Sequence, residues 1–145
     1  MAKYNQNITA PRAQTPPGQL DGSLQGGNVR VYREIINLGG PGFPYTTADT
    51  IVVAYPQVGE TFLKGVITPS VSLGTSTIAV GTATATGKYR TAAAGLTAAD
   101  TPVLFGSAAA QAAKLTGPEE VFVSIGVASL PSSGTLIVDL YFAQT

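Results

Sequence analysis

The chain contains no cysteine and no histidine. Without cysteine there is no disulfide framework and no thiolate nucleophile. Without histidine the commonest general base and metal ligand is missing. Charge is scarce as well. Charged side chains make up 11% of the 145 residues, against roughly 25% in ordinary soluble domains. Eight basic and eight acidic groups cancel. The basic ones, Lys3, Arg12, Arg30, Arg33, Lys64, Lys88, Arg90 and Lys114, are scattered. No basic run follows a phosphate backbone, so no nucleic-acid partner is expected. No stretch approaches the roughly 18–20 apolar residues of a membrane helix, so no membrane partner is expected either. Polar residues and prolines follow Lys3, which is not the pattern of a secretory signal.

The usual catalytic patterns are missing too. No serine sits in a Gly-x-Ser-x-Gly elbow. The run Gly39-Gly-Pro-Gly42 lacks the Lys-Ser/Thr that completes a phosphate loop. Glu119 and Glu120 are the one adjacent carboxylate pair, and in a strand they point to opposite faces. We therefore expect no enzyme, no cofactor and no metal.

What is present divides into two parts. Residues 1–27 hold Pro11, Pro16, Pro17 and four glycines, with five glutamines or asparagines between Asn5 and Gln19. Beyond alanine and Met1 their only aliphatic residues are Ile8, Leu20 and Leu24. Ordering a backbone costs roughly 1–2 kcal/mol per residue. This segment buries too little apolar surface to offset that alone. It reads as an extended or disordered arm that orders only on a partner. Residues 28–145 read as one compact body, long enough to bury a core. Across the chain 20 alanines, 18 threonines and 17 glycines fill more than a third of the positions. A weakly charged surface of small residues suits burial in protein–protein contacts.

The body reads as all-β, a jelly-roll-like β-sandwich with one short helix. Strands are expected over 29–38, 51–55, 61–68 and 102–105. Arg33 shares a strand face with Val29, Val31 and Ile35, which predicts a bulge, an edge position or a paired arginine. Residues 70–73 and 76–80 flank Gly74-Thr75 and read as a tight hairpin. Residues 82–94 read as a weak strand or a long loop. Ser107 to Lys114 is the helix candidate, with Ser107 as cap and Lys114 near the negative end of the dipole. The clearest strands come last. Val121, Val123, Ile125 and Val127 form one set, and Leu136, Val138, Leu140 and Phe142 another. Period two places each set on one face, expected to be the core of the sandwich.

A short echo precedes strands: Thr46 to Asp49, Thr97 to Asp100, and Thr116 to Glu119 each set a threonine three residues before an acid. That is the spacing of a capping box. It lacks the dense alternating oxygens of a calcium loop. The tyrosines, with Phe43, read as core or rim residues of a half-buried sheet.

Several runs carry a resemblance: Asp49-Thr-Ile-Val-Val53, Leu63 to Gly81, Thr97 to Gly106, and Ser133-Gly-Thr-Leu-Ile-Val-Asp-Leu-Tyr-Phe142. They resemble small structural proteins of tailed-phage virions. The plan of arm plus β body is similar to that of capsid decoration, or cement, proteins. That resemblance implies a β-sandwich or jelly-roll body, frequently trimeric, on the outer capsid surface, clamping neighbouring subunits of the major capsid protein. Arm residues Tyr4, Ile8, Arg12, Leu20 and Leu24 would be the contacts. Pro11, Pro16 and Pro17 would reduce the entropy lost on ordering. Two alternatives stand beside this reading. One is a glycan- or receptor-binding module of a phage tail or fibre, using the loops 39–44 and 87–90. The other is a tail or neck connector.

Overall fold

The computed structural model describes residues 28–39 and 45–144. Its strands are β1 (Asn28–Asn37), β2 (Thr50–Ala54), β3 (Thr61–Pro69), β4 (Thr77–Gly81), β5 (Arg90–Ala93), β6 (Val103–Phe105), β7 (Val121–Gly126) and β8 (Thr135–Gln144). One short helix, α1 (Ala108–Ala112), lies between β6 and β7. Two four-stranded antiparallel sheets run in the orders β1-β8-β3-β6 and β2-β7-β4-β5. The strands pair first with last: β1 with β8, β2 with β7, β3 with β6, β4 with β5. The chain is thus one long hairpin, rolled so that alternate pairs fall into opposite sheets. The pairs β3–β8 and β4–β7 complete each sheet. This is the eight-stranded jelly roll.

The period-two pattern explains the centre. Leu136, Val138, Leu140 and Phe142 of β8 are fully buried, and Val121, Val123 and Ile125 of β7 are nearly so. β7 and β8 are the inner strands of opposite sheets, and both sets belong to one core. Full burial of each such side chain contributes roughly 1.5–3 kcal/mol. Aromatic rings join the layers. Phe62 lies 4.7 Å from Tyr89, 5.6 Å from Phe142 and 6.4 Å from Phe105 between ring centroids. A register shift between Phe62 and Lys64 places Leu63 in a bulge of β3. The extra residue lets Phe62 face inward opposite Phe142 and Lys64 outward opposite Tyr141.

Four local expectations need correction. Residues 70–73 form no strand, and there is no hairpin across Gly74-Thr75. β3 and β4 belong to different sheets, so their connection crosses the rim of the sandwich. A turn at Leu73–Ser76, with the Ser76 amide on the Leu73 carbonyl at 3.2 Å, feeds β4 alone. Val127 is not a core residue. β7 ends at Gly126, and Val127 is 75% exposed at φ +68°. Helix α1 is capped by Ser107, whose side chain accepts from the Ala110 amide at 3.3 Å. It stops at Ala112, so Lys114 misses the end of the dipole and pairs with Thr61 in a bridge. The echo also serves three different ends. Asp49 closes a capping turn on the Thr46 amide at 2.6 Å. Asp100 takes a left-handed backbone, φ +56°. Glu119 accepts from Lys88 and Tyr89.

Candidate docking surface

β1 is an edge strand, with β8 as its neighbour. Its even residues Tyr32 and Ile36 belong to the core side. Its odd residues Val29, Val31 and Ile35 are 50–60% exposed. Register then extends this outward face across the sheet in rows. Ile35 lies opposite Ile137, and Ile137 opposite Thr68. Arg33 lies opposite Asp139, Asp139 opposite Val66, and Val66 opposite Leu104. Val31 lies opposite Tyr141, and Tyr141 opposite Lys64. Leu104, on the other edge strand, is 67% exposed. An antiparallel sheet with one solvated face normally presents polar residues there. This one also carries Val31, Ile35, Ile137, Val66 and Leu104 on its outward face.

The one acid in these rows is paired, and the lysine rests on an aromatic ring. The Arg33 guanidinium donates from Nε to Asp139 Oδ1 at 2.6 Å and from Nη2 to Oδ2 at 2.8 Å. Asp139 is buried, while Arg33 is more than half exposed. The carboxylate's hydrogen bonds and its charge raise the Arg33 pKa above its ordinary value. The Lys64 ammonium sits 4.9 Å from the centroid of the Tyr141 ring. The expected conflict at Arg33 is therefore met twice over: the strand is an edge, and the arginine is paired.

A second polar cluster fixes the start of β1. Glu60 is fully buried. It accepts from the Tyr32 hydroxyl at 2.8 and 3.0 Å, from Arg30 Nη1 at 3.3 Å and from the Gln57 amide at 2.7 Å. Burial first, then the bond to Glu60, raises the Tyr32 pKa. The network pins the first residues of β1 to the β2–β3 loop.

A third cluster lies at an open surface cavity of about 280 Å³ beside α1. Both Glu119 oxygens are engaged there, one by Lys88 and one by Tyr89 at 2.7 Å. Burial, then Glu119, pushes the Tyr89 pKa far up. Next to it Arg90 is buried, its guanidinium donating to the carbonyls of Ile78 and Ala93. Burial lowers its pKa. Both side chains face inward, so neither Tyr89 nor Arg90 offers a glycan-stacking surface in the loop 87–90.

The arm contacts Tyr4, Ile8, Pro11, Arg12, Pro16, Pro17, Leu20 and Leu24 lie outside the described residues, as do residues 40–44 of the other candidate loop. The outward face of the first sheet was missed by sequence reasoning. Its signal was there: the odd positions of β1 hold Val29, Val31 and Ile35 while its even positions hold only Tyr32 and Ile36 for the core, and Ile137 sits among polar residues on the side of β8 away from the core.

No protein-family model matches the chain, and no curated protein matches it. Solved structures do. A chain in the capsid asymmetric unit of cyanophage Pam1 is 21% identical at a TM-score of 0.67, covering 82% of this chain and 86% of that one. A chain in the capsid of Ralstonia phage GP4 is 16% identical at 0.63, with the same coverage. This chain shares its fold with chains of phage capsids. A third, from the acid-stable capsid of Helicobacter pylori bacteriophage KHP30, is 10% identical at 0.56, covering 81% and 89%. Coverage is similar on both sides each time, so the matched chains are close to this one in length.

Proposed function

We propose that this chain is a structural protein of a phage virion. It decorates the outer surface of the capsid, bridges neighbouring subunits of the major capsid protein, and acts as a homo-oligomer, a trimer by resemblance. The observation that carries the reading is the jelly roll shared with chains of three phage capsids over more than four-fifths of both partners. The scarcity of charge supports it, because charged residues are depleted in the cores of protein interfaces. In this reading residues 1–27 are the arm that orders on the shell. Extended arms gain affinity by adding a strand to an exposed sheet edge. Many copies on a symmetric shell multiply a weak contact.

The test is co-sedimentation of the purified protein with expanded, undecorated shells of its phage. Binding should saturate at a copy number matching the symmetry axes of the shell. Deleting residues 1–27 should leave a folded body that no longer co-sediments. Unchanged binding by the truncated protein would remove the arm from the mechanism.

A further inference from the structure

Resting on the capsid reading above, we propose that the outward face of the first sheet is where the body itself sits on the shell. Its occupant is a predominantly apolar surface of the shell protein.

Three observations carry this. The face carries aliphatic side chains in every row and crosses all four strands, from Ile35 on one edge to Leu104 on the other. Contiguous exposed apolar surface of this kind marks interaction sites. Its one carboxylate is already matched. Asp139 is buried and held by two bonds from Arg33, and Lys64 rests on Tyr141. Covering the face therefore strands no carboxylate, and Lys64 is its one positive charge without an acid partner on the face. Finally, the chain outside the structure ends at this face. Residue 27 is followed by Asn28, and Val29 is the first exposed residue of the outward set. Whatever holds the near end of the arm lies beside the face. A fully extended segment of 27 residues can span up to about 90 Å. Two linked contacts of this kind reinforce each other through effective concentration.

The experiment uses the full chain. Ile35→Lys and Leu104→Lys are placed together, since both side chains are exposed and lie on opposite edges of the face. Val127→Lys, exposed but on the loop after β7, is the control. Shell co-sedimentation and solution mass by light scattering are measured for each. The double variant should keep the parent's mass and bind shells at least tenfold more weakly, while the control binds like the parent. A second measurement introduces no charge. The chain has no cysteine, so Leu104→Cys and Val127→Cys can each be labelled with a maleimide. Shell binding should slow labelling at position 104 at least tenfold and leave position 127 unchanged. Parent-like binding by the double variant, or unprotected labelling at 104, overturns the inference alone. A drop in solution mass also overturns it, because the face would then join copies of this chain. If the parent fails to bind shells, the capsid reading falls and this inference with it.

Discussion

Gly65→Ala should destabilise the body, against the ordinary expectation for a strand. Glycine within a strand costs roughly 0.5–1 kcal/mol relative to alanine, and its backbone here lies outside the left-handed region. Propensity alone predicts a gain. The cross-strand partner reverses the sign. Gly65 lies opposite Phe105 on the core side of the first sheet. A Cβ built at Gly65 would stand 2.1 Å from Phe105 Cζ and 2.3 and 2.6 Å from its two Cε atoms. The ring cannot simply retreat, because Phe62 is stacked against it at 6.4 Å. Forcing a methyl into a packed core costs typically 1–3 kcal/mol. Set against the propensity gain, the net loss is about 1–2 kcal/mol. For a domain near 100 residues that lowers the melting temperature by roughly 5–10 °C. The assay is thermal and urea unfolding of Gly65→Ala, Phe105→Leu and the double variant. Trimming the ring opens room for the methyl, so the two losses should be less than additive by at least 0.5 kcal/mol, on the scale of contacting pairs. A neutral or stabilised Gly65→Ala, or strictly additive losses, would refute the argument.

Other outcomes follow from the same geometry. Val127 sits at φ +68° in a turn closed by the Ala128 amide on the Gly126 carbonyl at 2.8 Å, a conformation costly for a β-branched side chain. Val127→Gly should raise the urea midpoint, by about 1 kcal/mol of stability, and an unchanged or lower midpoint would argue against strain. Glu60→Gln removes the charge that Tyr32, Arg30 and the Gln57 amide all address. It should cost about 1–3 kcal/mol, with faster amide exchange confined to the first half of β1. The pKa of Tyr89 is raised on folding, so the folded state holds that proton more tightly than the unfolded chain. Its contribution to stability is complete below the unfolded value of about 10 and is lost as pH rises through the folded value. Spectrophotometric titration of the folded protein should leave Tyr89 un-ionised until the protein unfolds, and Tyr89→Phe should flatten the alkaline fall in stability.

The sequence by itself determined the class of this protein and much of its strand inventory. The alternation in 121–125 and 136–142 could only be strands with one buried side, and the sets it named on β8 are fully buried. It also marked Arg33 as a residue needing an edge or a partner, and both are present. The cap at Ser107 was legible because capping is local chemistry. What only the tertiary structure decided is which strand meets which. Arg33 finds Asp139 across 106 residues, and Glu60 finds Arg30 and Tyr32 across about thirty. No local pattern encodes such a pairing. The expected hairpin at 70–80 failed for the same reason: turn chemistry at Gly74 is local, but assignment of β3 and β4 to different sheets is not. Period two shows which residues share a face without saying which face is the core. In β1, whose more apolar odd set is not the core set, that choice was settled by the register against β8. Register turned Val29, Val31 and Ile35 outward, and with them the face that we assign to the shell.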